Sequence, residues 1–400
     1  MKCRICSGNV REFFDLGPQP VSDAFLLPPA RADEFFYRLR VGVCESCMMV
    51  QQAEEIPRQK MFHADYPYRS SGSALIRQHF AAVARRFLET ELSGPDAFIV
   101  EIGSNDGVML KTISQAGIRH LGVDPSGGAA EVSAECGVRV QVDFFDETTA
   151  GTILARDGQA DVIYSANTVS HISYLDSVFR GVDKLLADNG VFVIEDRYLG
   201  DILEQTAFDQ IYDEHFYLFS VRSVRALAQL HGLELSGVEH LPVHGGTIRY
   251  TISRPGRRAI SPEIARLCAL EPVDFAVFEG FARRAADIRD ALTTLLTGLR
   301  EQGRRVVGYG ATAKSATILN YCGIGPDLIP CICDSTPGKQ GRLTPGSHIP
   351  VLAAESFAAP YPDYALLFAW NHAEEIMAKE QEFKRRGGRW IMYVPEVHIV

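Results

Sequence analysis

AFIVEIGSNDGVML, residues 97–110, decides the fold. An apolar run of strand length stops at Gly103, a turn carries the chain to Gly107, and a helical pattern follows. A glycine at a strand end lets a ligand approach the backbone, and the helix N-terminus behind it offers unpaired N–H groups. The turn reads G-x-x-x-G and lacks the G-x-G-x-x-G spacing of a dinucleotide site. The next strand ends HLGVDPS and places Asp124 at its tip, where an acid in such sheets accepts from ribose hydroxyls. An E-x-G-x-x-x-G turn with that acid suggests S-adenosylmethionine (SAM) rather than NAD. Glu101, Gly103, Asn105, Gly107 and Asp124 are the expected cofactor contacts.

Three more strand patterns follow: VRVQVDFF (138–145), ADVIYSANTVSHI (160–172) and GVFVIED (190–196). Helical patterns fill the gaps, and one precedes the set, from Ser71 to the break at Ser93-Gly94-Pro95. Strands alternating with helices mean a doubly wound α/β sheet. Asp143 and Phe144 end the third strand, where they would frame an adenine. Asn167 and His171 follow at the end of the fourth, and ligands sit at the carboxyl ends of strands in such sheets.

Near residue 245 the texture changes. Gly245-Gly246 opens the strand TIRYTIS, and a long amphipathic helix pattern runs from Phe275 to Gly303. A second strand–turn–helix then reads RRVVGYGATAK, with Gly308, Gly310 and Lys314, and Asp334 ends its next strand. Lys314 at a helix start suits a phosphate or nucleotide. A Rossmann-like half kept only as scaffold, or one that binds NAD, fits the same text.

In front of both layers stand Cys3-x-x-Cys6 and Cys44-x-x-Cys47. Each pair puts two thiolates on one tight turn, and two such turns make the S4 cage of a closed structural zinc site. Residues 1–68, with Pro18, Pro20, Pro28 and Pro29, have the loop-rich texture of a metal-stapled module. The expected division is therefore 1–68, 69–245 and 246–400.

At 400 residues, 46 % hydrophobic and 22 % charged, the chain has room for two or three globular domains. The net charge of −10 opposes a nucleic-acid partner, which needs a basic surface. No apolar run is long enough to span a bilayer, and the polar start MKCRICSGNV does not read as a signal peptide. Nine cysteines without an export signal suggest a reducing cytoplasm.

The segment IYDEHFYLFS (211–220) crowds Tyr212, Glu214 and His215 together. A phenol, a carboxylate and an imidazole make a proton-transfer site, with the carboxylate orienting the ring.

Taken in order, CRIC, CESC, EIGSNDG, YDEH, HGGTIRY, GYGATAK, LNYCGIGPDLI, PGKQGR and PGSHIPV resemble the sugar C-methyltransferase family across essentially the whole chain. The likeness is to its members that C-3-methylate a TDP-4-keto sugar on the way to D-tetronitrose. The resemblance implies a zinc-binding module, a central class I (Rossmann-like) SAM methyltransferase domain and a C-terminal Rossmann-like α/β domain. It implies structural zinc on Cys3, Cys6, Cys44 and Cys47. His215 would be the base, supported by Tyr212, Glu214 and His171, with Asn167 and Tyr66 nearby. It also implies a TDP- or GDP-linked 4-keto sugar as partner, gripped by Tyr66, Tyr309, Lys314, Asp334 and Lys339. Two positions depart from the family text: Asp213, where a His is common, and Thr312, where a Pro is common.

Overall fold

The computed structural model describes residues 1–28, 34–61, 69–358 and 360–400. Strands β1 (Val10–Pro20), β2 (Phe36–Cys44) and β3 (Val50–Gln52) form an antiparallel sheet. The N-terminal module is thus built on strands, where a loop-rich texture was expected. The prolines misled because β1 is an edge strand, and an edge strand does not need every N–H for pairing.

β4 (Phe98–Ile102), β5 (Arg119–Val123), β6 (Val140–Gln141), β7 (Ala160–Ala166) and β8 (Leu186–Arg197) make the parallel part of the second sheet. All five residues of β4 are buried, as a strand covered on both faces requires. One covering helix, Ala74–Thr90, starts at Ser73, whose side chain accepts from the Ile76 N–H. It buries Ile76, Phe80, Val83, Ala84 and Phe87, a single stripe at helical spacing.

The chain then returns to the first sheet. β9 (Tyr217–Leu218) pairs with β3 before β10 (Glu234–Leu241) and β11 (Thr247–Ser253) complete the second. That sheet runs β10-β11-β8-β7-β4-β5-β6, with β11 antiparallel to β8. The strand TIRYTIS is β11, so the expected boundary after residue 245 falls ahead of a strand that closes the central sheet. The glycines at 245 and 246 lie in the turn that carries β10 back into β11.

The helix Phe275–Glu301 begins at Asp274, which accepts from Ala276 N–H, and ends ahead of Gly303 at φ 69°. The third sheet follows: β12 (Val306–Tyr309), β13 (Ile332–Asp334), β14 (Val351–Ala353), β15 (Tyr364–Leu367), β16 (Arg389–Met392) and β17 (His398–Ile399). Its order is β14-β13-β12-β15-β16-β17, parallel except at β17. Among the described residues no helix is long and apolar enough to cross a membrane.

A cleft of about 1440 Å³ collects the functional surfaces. The residues just beyond β4, β5 and β7 line it, and so do Arg197 at the end of β8 and the segments after β12 and β13. The N-terminal module contributes Asp23, Ala24, Phe25 and Leu26. Carboxyl ends of two parallel sheets therefore open on one space.

Candidate active site

The four N-terminal cysteines converge. Their Sγ atoms all lie within 4.8 Å of one another, with Cys3–Cys47 at 3.7 Å and Cys6–Cys44 at 3.4 Å. Zn–S bonds of about 2.3 Å in a tetrahedron put sulfurs about 3.8 Å apart, so the cage fits zinc. The two turns are alike. Ser7 N–H donates to the Cys3 carbonyl and Met48 N–H to the Cys44 carbonyl, both at 3.0 Å, and Ser7 and Met48 both have positive φ. Ile5 and Ser46 N–H groups each point at a sulfur at 3.4 Å.

The turn after β4 is built for close approach. Gly103 sits at φ 74°, and a Cβ there would stand 2.1 Å from Thr168 Oγ1. Asp124, at the tip of β5, accepts from Asn105 N–H and Ser126 N–H, both at 2.8 Å. This pins its carboxylate at the cleft with acceptor sites to spare. Burial, then Asp124 and Asp106, hold the Glu101 carboxyl well above its usual range. Neither Glu101 Oε2 nor Asn167 Oδ1 has a hydrogen-bond partner among the described residues, and both side chains line the cleft. These are acceptors suited to the ribose and the cationic amino-acid end of SAM.

Gly107 and Asp143 serve the turns instead. Gly107, at φ 72°, abuts Ser133, where a Cβ would meet its Oγ at 2.9 Å. Asp143 is exposed and accepts from its neighbour Phe144 N–H and, at 3.3 Å, from Thr149 Oγ1. Neither lines the cleft, whereas Phe144 does.

His171, Tyr212 and Glu214 line the cleft, and the His215 ring packs against those of His171 and Tyr212. The Tyr212 and His215 rings are 3.9 Å apart by centroid. His215 Nδ1–H donates to the Gln210 carbonyl at 2.5 Å, and Nε2 has no partner among the described residues. The carbonyl accepts only, so the proton sits on Nδ1 and the lone pair on Nε2. The expected Glu214–His215 orientation is therefore replaced by a carbonyl. A tight turn, His215 N–H to the Tyr212 carbonyl, sends successive side chains different ways. Burial, then Arg197 and His171, push the His215 pKa well below its usual value. Burial raises the Tyr212 phenol well above its usual value and keeps it a donor.

The loop is clamped from the zinc module. Gln52 Nε2 donates to the Tyr212 carbonyl at 2.6 Å and the His215 carbonyl at 3.0 Å. Asp213 accepts from Ser22 N–H at 2.9 Å, and burial lifts its pKa to about 7.

Across the cleft, Lys314 Nζ donates to Asn371 Oδ1 at 2.6 Å and lies 4.6 Å from the Trp370 ring centroid. Its burial lowers its pKa to about 8. Asp334 repeats the geometry of Asp124, accepting from Ala311 N–H at 2.6 Å and Thr336 N–H at 2.7 Å. Lys339 bonds Asp23 and the Ala311 carbonyl. Tyr309 turns away: its hydroxyl donates to Glu380, and its ring packs on Phe357 and Trp390. Strand alternation puts it on the face opposite the cleft. Tyr66 lies outside the described residues.

Three family descriptions match in series: a zinc binding domain over residues 3–62, a methyltransferase domain over 75–237 and a C-methyltransferase C-terminal domain over 242–395. The C-methyltransferase NovU of Streptomyces niveus is 33 % identical over 406 residues, spanning 100 % of this chain and 96 % of NovU. The chain belongs to the C-methyltransferase family. Solved structures matched over part of the chain include a SAM-dependent methyltransferase from Anabaena variabilis. It has 18 % identity and a TM-score of 0.36, over 45 % of this chain and 86 % of that one. Magnesium protoporphyrin IX methyltransferase from Synechocystis, with bound S-adenosylhomocysteine, has 11 % identity and a TM-score of 0.35, over 44 % and 83 %.

This C-methyltransferase is SAM-dependent and carries a zinc-binding cysteine cage. When bound, SAM supplies an electrophilic methyl group. Glu101, Gly103, Asn105, Asp124, Phe144 and Asn167 line the cleft and would hold it. Sequence reasoning missed Arg197, Gln210, Gln52 and the Asp23–Leu26 stretch. Arg197 directly follows the recognised strand GVFVIED and had a positional signal. Gln210 stands one residue before the recognised segment 211–220, whereas the Gln52 and Asp23–Leu26 contacts join segments far apart in sequence and had none.

Proposed function

We propose that this enzyme methylates the carbon beside the ketone of a nucleotide-linked 4-keto-deoxysugar, C-3 being the expected position. The observation that carries the reading is the fixed tautomer of His215. An imidazole with Nδ1–H committed to a carbonyl and Nε2 left as a lone pair is a base ready to remove a proton from a carbon acid. Such a carbon acid needs a carbonyl neighbour to spread the charge, which a 4-keto sugar supplies. Tyr212, held protonated, would donate to the enolate oxygen, and His171 stacks on His215. The third sheet supports a nucleotide-linked substrate. Asp334 there repeats the Asp124 arrangement for a second ribose, and Lys314 offers a cation to a phosphate. On this reading the zinc module, SAM half and nucleotide half all contribute to one cleft. The likeness to NovU and the nine free cysteines fit a biosynthetic enzyme of a reducing compartment.

The test is a mass-spectrometric turnover assay with SAM and a panel of TDP- and GDP-4-keto-deoxysugars. A gain of one methylene unit on a keto sugar supports the class. Tight SAM binding with no sugar gaining mass removes the substrate assignment.

A further inference from the structure

Arg197 is an anomaly. It ends β8 at the carboxyl edge of the sheet and lines the cleft with His171, Gln210, Tyr212 and Glu214. Its side chain is 14 % exposed, yet Nε and Nη1 are both shielded from solvent without a hydrogen-bond partner. No other arginine among the described residues has two such nitrogens. The nearest carboxylate among the described residues, on Asp196, stands 3.9 Å from Nη1, an ion-pair distance beyond hydrogen-bond reach. Asp196 accepts from the Ser170 N–H at 3.1 Å and from the Arg197 N–H at 2.9 Å. Arg249 shows how this fold treats a buried guanidinium otherwise: it bonds Glu195 at 2.6 Å and Glu239 at 2.8 Å. A buried guanidinium whose N–H groups lack acceptors is costly even with a carboxylate 3.9 Å away, and a guanidinium cannot shed its proton to escape that cost. An arriving anion relieves it.

We propose that Arg197 is a catalytic residue that binds the ketone oxygen of the substrate and takes up its negative charge as the enolate forms. This rests on the carbon-acid reading above. The bond that breaks is the C–H beside the ketone. Its electron pair becomes the new C=C bond, the carbonyl π pair moves to oxygen, and the proton goes to His215 Nε2. The oxygen gains a full charge only along this path, so a fixed cation there accelerates the step. The same charge disfavours protonation of His171 and His215, which keeps the base in its working form. Arg197 and Tyr212 thus divide the work: the cation neutralises, and the phenol orients.

The test uses the full-length, zinc-loaded protein and Arg197→Met and Arg197→Lys, with thermal melts to confirm folding. Deuterium uptake from D2O beside the ketone of a TDP-4-keto-deoxysugar, without SAM, reads enolisation alone. Calorimetric titration with TDP and with GDP reads phosphate binding. Arg197→Met is expected to lose about 10²–10³-fold in exchange at saturating sugar, with nucleotide affinity within twofold of wild type. Arg197→Lys should recover part of the rate, keeping the charge and losing the fork. Exchange retained in Arg197→Met, or retained while TDP affinity collapses, overturns the assignment; the second result makes Arg197 a phosphate ligand. If Arg197→Met does not fold, Arg197→Gln carries the same comparison. A wild-type enzyme that exchanges no proton from any keto sugar sinks the substrate class, and this role with it.

Discussion

The imidazole of His171 stacks on that of His215, with ring centroids 5.2 Å apart and planes inclined by 29°. Two stacked imidazoles disfavour each other's charged form, so the pair carries at most one positive charge at a time. The tautomer of His215 is locked by the Gln210 carbonyl. His215→Asn, which keeps a donor for the Gln210 carbonyl, should lower enolisation by at least about 10²-fold and leave SAM affinity intact. His171→Asn should cost less. If calorimetry and deuterium uptake give the reverse order, the base is His171.

Acid should unfold the protein before it titrates the base. Burial lowers the His171 pKa to about 3 and holds His215 well below its usual value, each reinforced by Arg197. A group with a lowered folded pKa takes its proton first in the unfolded chain. Stability is therefore complete above about pH 6.5 and is lost as pH falls below it, by up to about 1.4 kcal/mol per pH unit for each such histidine. Urea melts at pH 7.5, 6.5 and 5.5 measure this. The acid limb of the enolisation profile should lie below pH 6.5; a limb at or above that value contradicts the buried, neutral base.

The reach of the sequence can be judged residue by residue. The Gly103 turn, Asp124 and the cysteine cage were legible because each works through local geometry: a positive φ, a strand tip, a paired knuckle. Gly107 and Asp143 share those local signals and yet serve turns, since text alone does not say which side of a turn meets the cleft. Tyr309 failed for the same reason, one step of strand alternation placing it on the far face. The prolines of β1 hid a strand because sequence does not announce which strand lies at an edge. Gln52 was invisible as a functional group because it acts through backbone carbonyls far along the chain; Arg197 carried only its position at a strand end, and what sets it apart is the hydrogen-bond partners its side chain lacks.

Gly103→Ala should abolish SAM binding with little loss of zinc. The new Cβ would sit 2.1 Å from Thr168 Oγ1, at a φ that only glycine adopts easily. Asp124→Asn is the milder probe: it removes the charge and keeps an oxygen for only one of the two N–H donors, each of which bonds a different carboxylate oxygen. SAM affinity should fall at least about tenfold, with no change in the zinc content measured by metal analysis. Wild-type affinity in Asp124→Asn would place the ribose elsewhere.

Gln52→Ala tests whether the N-terminal module positions the base. The amide bridges the carbonyls of Tyr212 and His215 from a strand that also pairs with the residues just beyond them. Losing it leaves the His215 carbonyl without its donor and the Tyr212 carbonyl with only the His215 N–H, a cost of about 1–3 kcal/mol in stability. The larger effect should fall on enolisation at saturating sugar, with SAM affinity unchanged. Gln52→Glu, which sets a carboxylate against the carbonyls, should be worse than Ala. Equal activity in all three proteins would reduce Gln52 to packing.

Zinc removal should reach the same place by a longer route. Cys44 ends β2, Cys47 closes the knuckle, and three residues later β3 begins and pairs with β9. Gln51 pairs with Tyr217 and Val50 with Leu218, so the cysteine turn and the base share one short ladder. A structural zinc site contributes folding free energy directly, and a module this small has little core to replace it. Chelation should therefore speed amide hydrogen exchange at Phe216–Phe219 and lower deuterium uptake into substrate. The amides of β4 and β7, which pair only within the second sheet, should keep their protection, and SAM should still bind. Chelation that leaves residues 216–219 protected would uncouple the metal from the base and confine zinc to the fold of the first sheet.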